Sequence, residues 1–360
     1  MVRTHTGITN GAGLEVMAEL TVAGAVEGAT DTKSITDAAA EPSAMPSAGT
    51  DAASRAARRT WRERLNDQEA RTLIAGTIAT LVGGTFWGFS GTCASYLFEH
   101  YQVDTAWLMS VRQVFSGLLF IIIALIFDRA RLIKLWTTPT HRRELLIFAA
   151  GGVLFNQFFY LASVRLTNAG TATVLQCLQL LIILAVSCLR GRRAPRRREV
   201  LGIALALAGT YLLATGGNPG NLSIPPAGIA VGLLCAVGAA AMAILPARIL
   251  PVYGSNIVTG SAMLSAGVAS SLVVHPWQNV PALQTDGWLA LFGLVVIGSF
   301  LAYLLYMQGV KDVGSMRASL LGTIEPISAT ITSAVTLGTV FAPTDIAGFA
   351  LIIVMVFLTV

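Results

Sequence analysis

"LLGTIEPISA", Leu320 to Ala329, lies inside a long apolar run near the C-terminal end of the chain. Glu325 puts a carboxylate among residues suited to hydrocarbon, and Pro326 follows it directly. A charged side chain at mid-membrane costs about 2.5–3.5 kcal/mol on insertion scales. A proline inside a helix removes one rung of the hydrogen-bond ladder. The pair therefore reads as a site within a spanning helix. Whether the chain has such helices decides the fold.

The 360 residues are 54% hydrophobic and only 12% charged. An ordinary soluble domain carries roughly 25% charged residues. With a mean hydropathy of +0.68, the composition predicts an all-α polytopic membrane protein. A spanning helix needs about 20 mostly apolar residues. Ten stretches qualify: 72–97, 105–127, 144–163, 168–189, 199–216, 226–246, 255–274, 287–308, 313–335 and 344–360. The last is short, and the native chain is expected to be able to continue beyond Val360. The intervening segments alternate in charge. One side carries 20 Lys and Arg and the other only Arg165. The positive-inside rule then puts both termini in the cytoplasm. The net charge of +5 sits in short runs such as "RGRRAPRRR" (190–198) between spans. That placement marks cytoplasmic loops near lipid headgroups and argues against nucleic acid as a partner.

Residues 1–70 differ from everything after them, as "TDAAAEPSAMPSAGTDAASRAARRT" illustrates. They hold too little apolar surface to offset ordering, so a disordered cytoplasmic tail is expected, without a secretory signal. Two readings compete: a regulatory or interaction segment, or an idle tail, for which Met17 or Met45 is a candidate start. Cys93, Cys177, Cys188 and Cys235 lie in apolar runs without a CxxC and read as buried thiols, so neither disulfide nor metal site is expected. There is no GxxxxGK[ST], GxSxG or HExxH, and the four histidines fall in the tail or in loops. These patterns disfavour an ATP-driven pump and an intramembrane hydrolase. No enzyme activity and no cofactor are expected.

Ten spans suggest two sets of five. "SVRLTNAGTATVLQCLQLL" (163–181) aligns with "GVKDVGSMRASLLGTIEPI" (309–327) at an offset of 146. Arg165 meets Lys311, Gln179 meets Glu325, and upstream Tyr160 meets Tyr306. Five is odd, so the halves would be inverted, with a site at the midplane between them. Similarity between any two apolar helices is the plainer alternative. The sequence also resembles the EamA-type branch of the drug/metabolite transporter superfamily. The likeness rests on "GTFWGFSG" (84–91), "SVRQVFSGLLF" (110–120), where Gln113 departs from the family's Arg-Phe-Ala pattern, and above all "VGSMRASLLGTIEPISATI" (313–331). The resemblance implies two five-helix repeats, here 71–216 and 217–360, and transport of small metabolites, often amino acids.

The polar residues inside the spans are the candidate site. Pro326 cannot donate to the carbonyl of Gly322, which shares a helix face with Glu325. Gly322 and Pro326 are therefore read as a hinge that aims a free carbonyl and a carboxyl into one space. A plain structural kink is the alternative. Thr173, Gln176 and Gln179 form a stripe on the fourth span; their counterparts at the offset are Ser319, Gly322 and Glu325. Asn156, Gln157 and Tyr160 on the third span, with Tyr303 and Tyr306 on the eighth, add amide and phenol groups. Interhelical hydrogen bonding would explain the same residues. Arg112 either is structural or snorkels to the interface, binds a substrate anion, or pairs with Glu325. Trp87 lines the cavity or simply packs. Gly84–Gly88 and Gly228–Gly232 have GxxxG spacing, which suits close helix contact.

The reading is a secondary transporter in the cytoplasmic membrane that moves a small amphipathic metabolite by alternating access, with amino-acid export the leading case. Expected partners are that substrate, the bilayer, a proton as candidate coupling ion and a second copy as candidate homodimer partner. Uptake of sugars or nucleotide sugars is the alternative transport reading. A membrane enzyme or assembly factor without transport is the alternative of another class.

Overall fold

In hydrocarbon every backbone polar group must be satisfied internally, which leaves an apolar chain of this kind with helices. The computed structural model describes residues 48–218 and 223–359, without the side chains of residues 48–68, Ser315, Met316, Ser319 and Thr359. Among the described residues there are helices and turns but no strand. The elements are α1 (Ala48–Tyr101), α2 (Thr105–Phe127), α3 (Arg129–Thr137), α4 (Pro139–Leu166), α5 (Ala169–Gly191), α6 (Arg197–Thr215), α7 (Pro226–Arg248), α8 (Ser255–Val274), α9 (Thr285–Val313), α10 (Ser315–Leu321), α11 (Ile324–Leu337) and α12 (Pro343–Thr359).

Eight helices are long and apolar enough to cross a membrane: Glu69–Tyr101 within α1, then α2 and α4 to α9. The ninth expected span is split into α10 and α11 by a turn at Gly322–Thr323. The tenth, α12, has 17 residues. The expected disordered tail falls largely outside the described residues. From Ala48 the chain is already helical and runs unbroken into the first span. Its alanines and arginines favour helix, and extending an existing helix costs no nucleation.

Local chemistry sets the helix ends. Asp104 caps α2 by accepting from the Trp107 amide at 2.9 Å. Asn168 caps α5 by accepting from the Thr171 amide at 2.8 Å. Both supply a partner for an otherwise orphaned N–H. In the first turn of α6, Glu199 accepts from both terminal nitrogens of Arg193 at 2.9 Å and from the Arg196 amide at 2.5 Å. At the opposite ends of the bundle, Asp286 of α9 accepts from the phenols of Tyr96 and Tyr101 at 2.5 and 2.6 Å, which ties α1 to α9. Arg165, the exception to the charge asymmetry, donates to the Val103 carbonyl and lies 5.7 Å from the Phe98 ring centroid.

The main packing pairs are α2 on α8, α6 on α12, α4 on α7, and α1 on both α9 and α11. Small residues permit the close approaches. Gly209 of α6 and Gly348 of α12 face each other backbone to backbone. The four GxxxG glycines also lie at contacts. Gly84 and Gly88 lie on the start of α11, and Gly228 and Gly232 lie on Leu166, Thr167 and Leu175.

Three spans are irregular inside their length. α4 contains a π-helical segment, Ala149–Leu154, and α9 contains another, Gly293–Leu301. α5 is interrupted by a turn at Cys177–Leu178. The same offset of 146 carries the first π segment inside the second, and Cys177 onto Thr323 at the α10/α11 break. Pro139 and Thr285, Asn168 and Gly314, and Arg197 and Pro343 are likewise each 146 residues apart at helix starts or caps.

Candidate functional site

The break between α10 and α11 organises the interior. Pro326 is the third residue of α11, where its missing N–H is one the first turn leaves unpaired anyway. The expected free carbonyl at Gly322 is not found. It accepts from the Glu325 amide at 3.0 Å, because the chain tightens into a three-residue turn before the helix restarts. Glu325 stands in the first turn of α11, where the helix dipole favours a negative charge. Its side chain is half-buried, and among the described residues no hydrogen bond reaches the carboxylate.

α1 holds this turn in place. Gly88 lies directly on the Glu325 and Ala329 backbone and on Ser328 Oγ, and Ser328 Oγ donates to the Thr85 carbonyl at 3.3 Å. One turn on, the Thr92 hydroxyl meets those of Thr332 at 2.6 Å and Ser333 at 3.2 Å. Trp87, on the same helix, contacts two rings of α9. Its centroid is 5.3 Å from Tyr303 and 4.7 Å from Tyr306. These three aromatics, separate in sequence, form one half-buried cluster. The Tyr306 phenol donates to the Ala318 carbonyl of α10 at 3.3 Å.

Glu325 is the shared electrostatic neighbour of Arg112, Tyr160, Cys177, Cys235 and Tyr303. Helices α2, α4, α5, α7 and α9 therefore all bring a polar or thiol group toward it. The snorkelling reading of Arg112 fails, since the residue is only 5% exposed. Its Nε donates to Ser299 Oγ at 2.7 Å, while Nη1 has no partner among the described residues. It forms no contact ion pair with Glu325 among the described residues.

The remaining predicted residues divide. Gln157, Gln176 and Gln179 are half-buried, the last two on either side of the α5 turn. Gln157 keeps a buried, unpartnered Oε1. Tyr160 is buried, with its hydroxyl against Gly91 and beside Thr173. Thr173 is buried, and its hydroxyl donates to the Ala169 carbonyl of its own helix at 2.5 Å, so it faces packing rather than open space. Asn156 is an interhelical contact, donating to Met242 Sδ at 3.2 Å on α7. The side chain of Ser319 lies outside the described residues.

Ser299 was not singled out from sequence. It lies in the π segment of α9 and donates to the Leu294 carbonyl at 2.8 Å, five residues back. That extra residue per turn turns the hydroxyl toward Arg112. Its only sequence signal is a Gly-Ser pair, Gly298–Ser299, in the apolar run "LVVIGSFL".

Comparison with known proteins agrees with this architecture. The pattern of the EamA-like transporter family matches residues 74–215 and again 226–360. The chain is 34% identical over 290 residues to YicL of Salmonella typhimurium (strain LT2), described as an uncharacterized inner membrane transporter. That match covers 79% of this chain and 94% of YicL. It is 31% identical over 193 residues to YedA of Escherichia coli (strain K12), described in the same words, covering 52% of this chain and 59% of YedA. One solved crystal structure superposes with a TM-score of 0.54 at 21% identity, covering 78% of this chain and 95% of the other, and shows the shared fold alone. With both halves matched and a relative covered over nearly its full length, the chain is a multi-pass membrane protein that belongs to the EamA-like transporter family.

Proposed function

We propose that this chain is a secondary transporter that exports small amphipathic metabolites, amino acids foremost, across the cytoplasmic membrane by alternating access. In this reading ten helices form two inverted five-helix repeats, 71–216 and 217–360, with both termini in the cytoplasm. α10 and α11 together make the ninth span. The paired element boundaries at an offset of 146 and the two family matches support the repeat. So does the packing: α4 on α7 is the counterpart of α9 on α1.

The observation that carries the reading is the pair of interrupted spans at matching positions, with half-buried Glu325 at the second break. Interrupted helices at mid-membrane are tolerated where they line a cavity, and they are where transporters of this plan bind substrate. Gln157, Gln176, Gln179, Tyr160, Trp87, Tyr303, Tyr306 and Arg112 surround the route, with Thr173 and Ser319 on the helices that carry the two breaks. The aromatic cluster takes the apolar body of the substrate; the charged and amide groups take its polar ends. Glu325 is the candidate proton carrier.

The test is mass spectrometry of metabolites outside cells that express the protein, compared with cells expressing Glu325→Ala at equal membrane abundance. Export predicts a class of compound that accumulates outside only with the intact chain. Equal profiles in wild-type, variant and empty-vector cells would remove export as the function.

A further inference from the structure

Arg112 is a permanently charged group in the protein interior, and among the described residues its one hydrogen bond goes to a neutral hydroxyl. A buried charge is tolerated when paired; one neutral hydrogen bond does not offset its desolvation. Glu325 supplies a field but no contact, and its carboxylate is itself without a hydrogen bond among the described residues. The two groups thus influence each other electrostatically without forming an ion pair among the described residues. The donor that Ser299 engages is Nε. Nη1 of the guanidinium is buried and without a hydrogen-bond partner among the described residues. The Nη end is the part of an arginine that grips a planar oxyanion in a fork. Ser299 can hold Nε only because the π segment brings its hydroxyl around, with Leu294 fixing the hydroxyl from the other side. π segments inside α-helices recur at functional sites.

We infer that Arg112, held by Ser299, is an acid-group subsite of the transport cavity, so the substrates carry a carboxylate or another oxyanion. Arg112 touches the acid group. Ser299 is a positioning residue, acting through Arg112. The inference rests on the transporter reading and names its substrate class. A lipid phosphate is not the anion in question, because Arg112 is buried within the bundle and does not reach the lipid face.

The experiment compares the compounds outside cells expressing wild type, Arg112→Gln, Arg112→Lys, Ser299→Ala and Ser299→Thr, all at equal membrane abundance, with detergent melting as a check on folding. The compounds that accumulate with wild type should bear an acid group. Their export should fall to the empty-vector level with Arg112→Gln. Losing a hydrogen bond to a charged group should cost Ser299→Ala about tenfold in export at sub-saturating substrate. Ser299→Thr, which keeps the hydroxyl, should restore it. Arg112→Lys keeps the charge but not the fork, and should fall between wild type and Arg112→Gln. Wild-type export of compounds without an acid group overturns the subsite and leaves transport standing. So does undiminished export by Arg112→Gln, or loss in Ser299→Ala that Ser299→Thr fails to rescue. If Arg112→Gln does not fold, the Ser299 pair and the chemistry of the exported compounds decide. Absence of any wild-type export overturns the transporter reading, and the subsite with it.

Discussion

The contact between α1 and the start of α11 leaves no room for one methyl group. A Cβ on Gly88 would lie 2.5 Å from the Glu325 carbonyl oxygen and 2.6 Å from the Ala329 nitrogen, besides meeting Ser328 Oγ. Ordinary contact begins at 3.4 Å, so Gly88→Ala must part the helices by up to about 0.9 Å. Two of the three obstructing atoms are backbone and cannot rotate away. Overpacking of this kind costs about 1–3 kcal/mol. Loaded onto one of two conformations, that energy shifts their ratio by about 5- to 150-fold. Gly84→Ala is the milder neighbour: its nearest obstacle is Ile324 Cγ2 at 2.6 Å, the end of a side chain. Gly151→Ala is the control, since its Cβ would meet only Leu245 Cδ1 at 3.5 Å. Melting in detergent and export at equal abundance should both rank Gly151→Ala near wild type, then Gly84→Ala, then Gly88→Ala lowest. A Gly88→Ala protein that melts and transports like Gly151→Ala would refute the packing argument.

Two further outcomes follow from the helix breaks and caps. Pro326→Ala restores an N–H that can reach the Gly322 carbonyl and rejoin α10 to α11. Because the proline occupies a first-turn position, melting should be unchanged or higher while export falls severalfold. Export at the wild-type level would show that the break is not used as a hinge. In the first turn of α6, Glu199 accepts three hydrogen bonds, two of them from Arg193, whose side chain is itself 38% exposed. Glu199→Ala should therefore destabilise by about 1–3 kcal/mol, toward the low end because Arg193 is solvated, and a detergent melting curve indistinguishable from wild type would contradict it.

What the sequence disclosed about the site was what bulk composition and rigid residues encode. Pro326 and Gly322 announce an interruption, and the structure has one there. Gly84 and Gly88 have the spacing of a close contact, and they make one. Trp87, Tyr303 and Tyr306 were named for the cavity and do come together. The details that depend on tertiary packing were hidden. The turn at Cys177–Leu178 contains neither glycine nor proline, so no local preference marks it. The Gly322 carbonyl is taken up by a tightened turn that pattern reasoning cannot distinguish from a free one. The depth of Arg112 in its span suited snorkelling equally well, until the position of α9 placed Ser299 beside it.

The irregular backbone and the interior charges belong to one arrangement. A turn inside a span gives up regular ladder hydrogen bonds where no lipid can replace them, so it is tolerated inside the bundle, and π segments inside helices recur at functional sites. Among the described residues the interruptions come as matched pairs: π segments in α4 and α9, and turns in α5 and between α10 and α11. The second member of each pair presents a polar group. The α9 segment fixes Ser299 on Arg112, and the α11 restart carries Glu325. The first members carry no charge: Val153 stands 146 residues before Ser299, and Gln179 before Glu325. If the two halves share an origin, one half has kept the backbone device while the other has also kept a charge or its partner. Introducing a carboxylate at the neutral position tests this asymmetry. Gln179→Glu should abolish export without unfolding the protein, because in the repeat reading it puts a second acid at the matching break, on the cavity that Glu325 lines. Wild-type export by Gln179→Glu would mean that the two breaks do not face a common space.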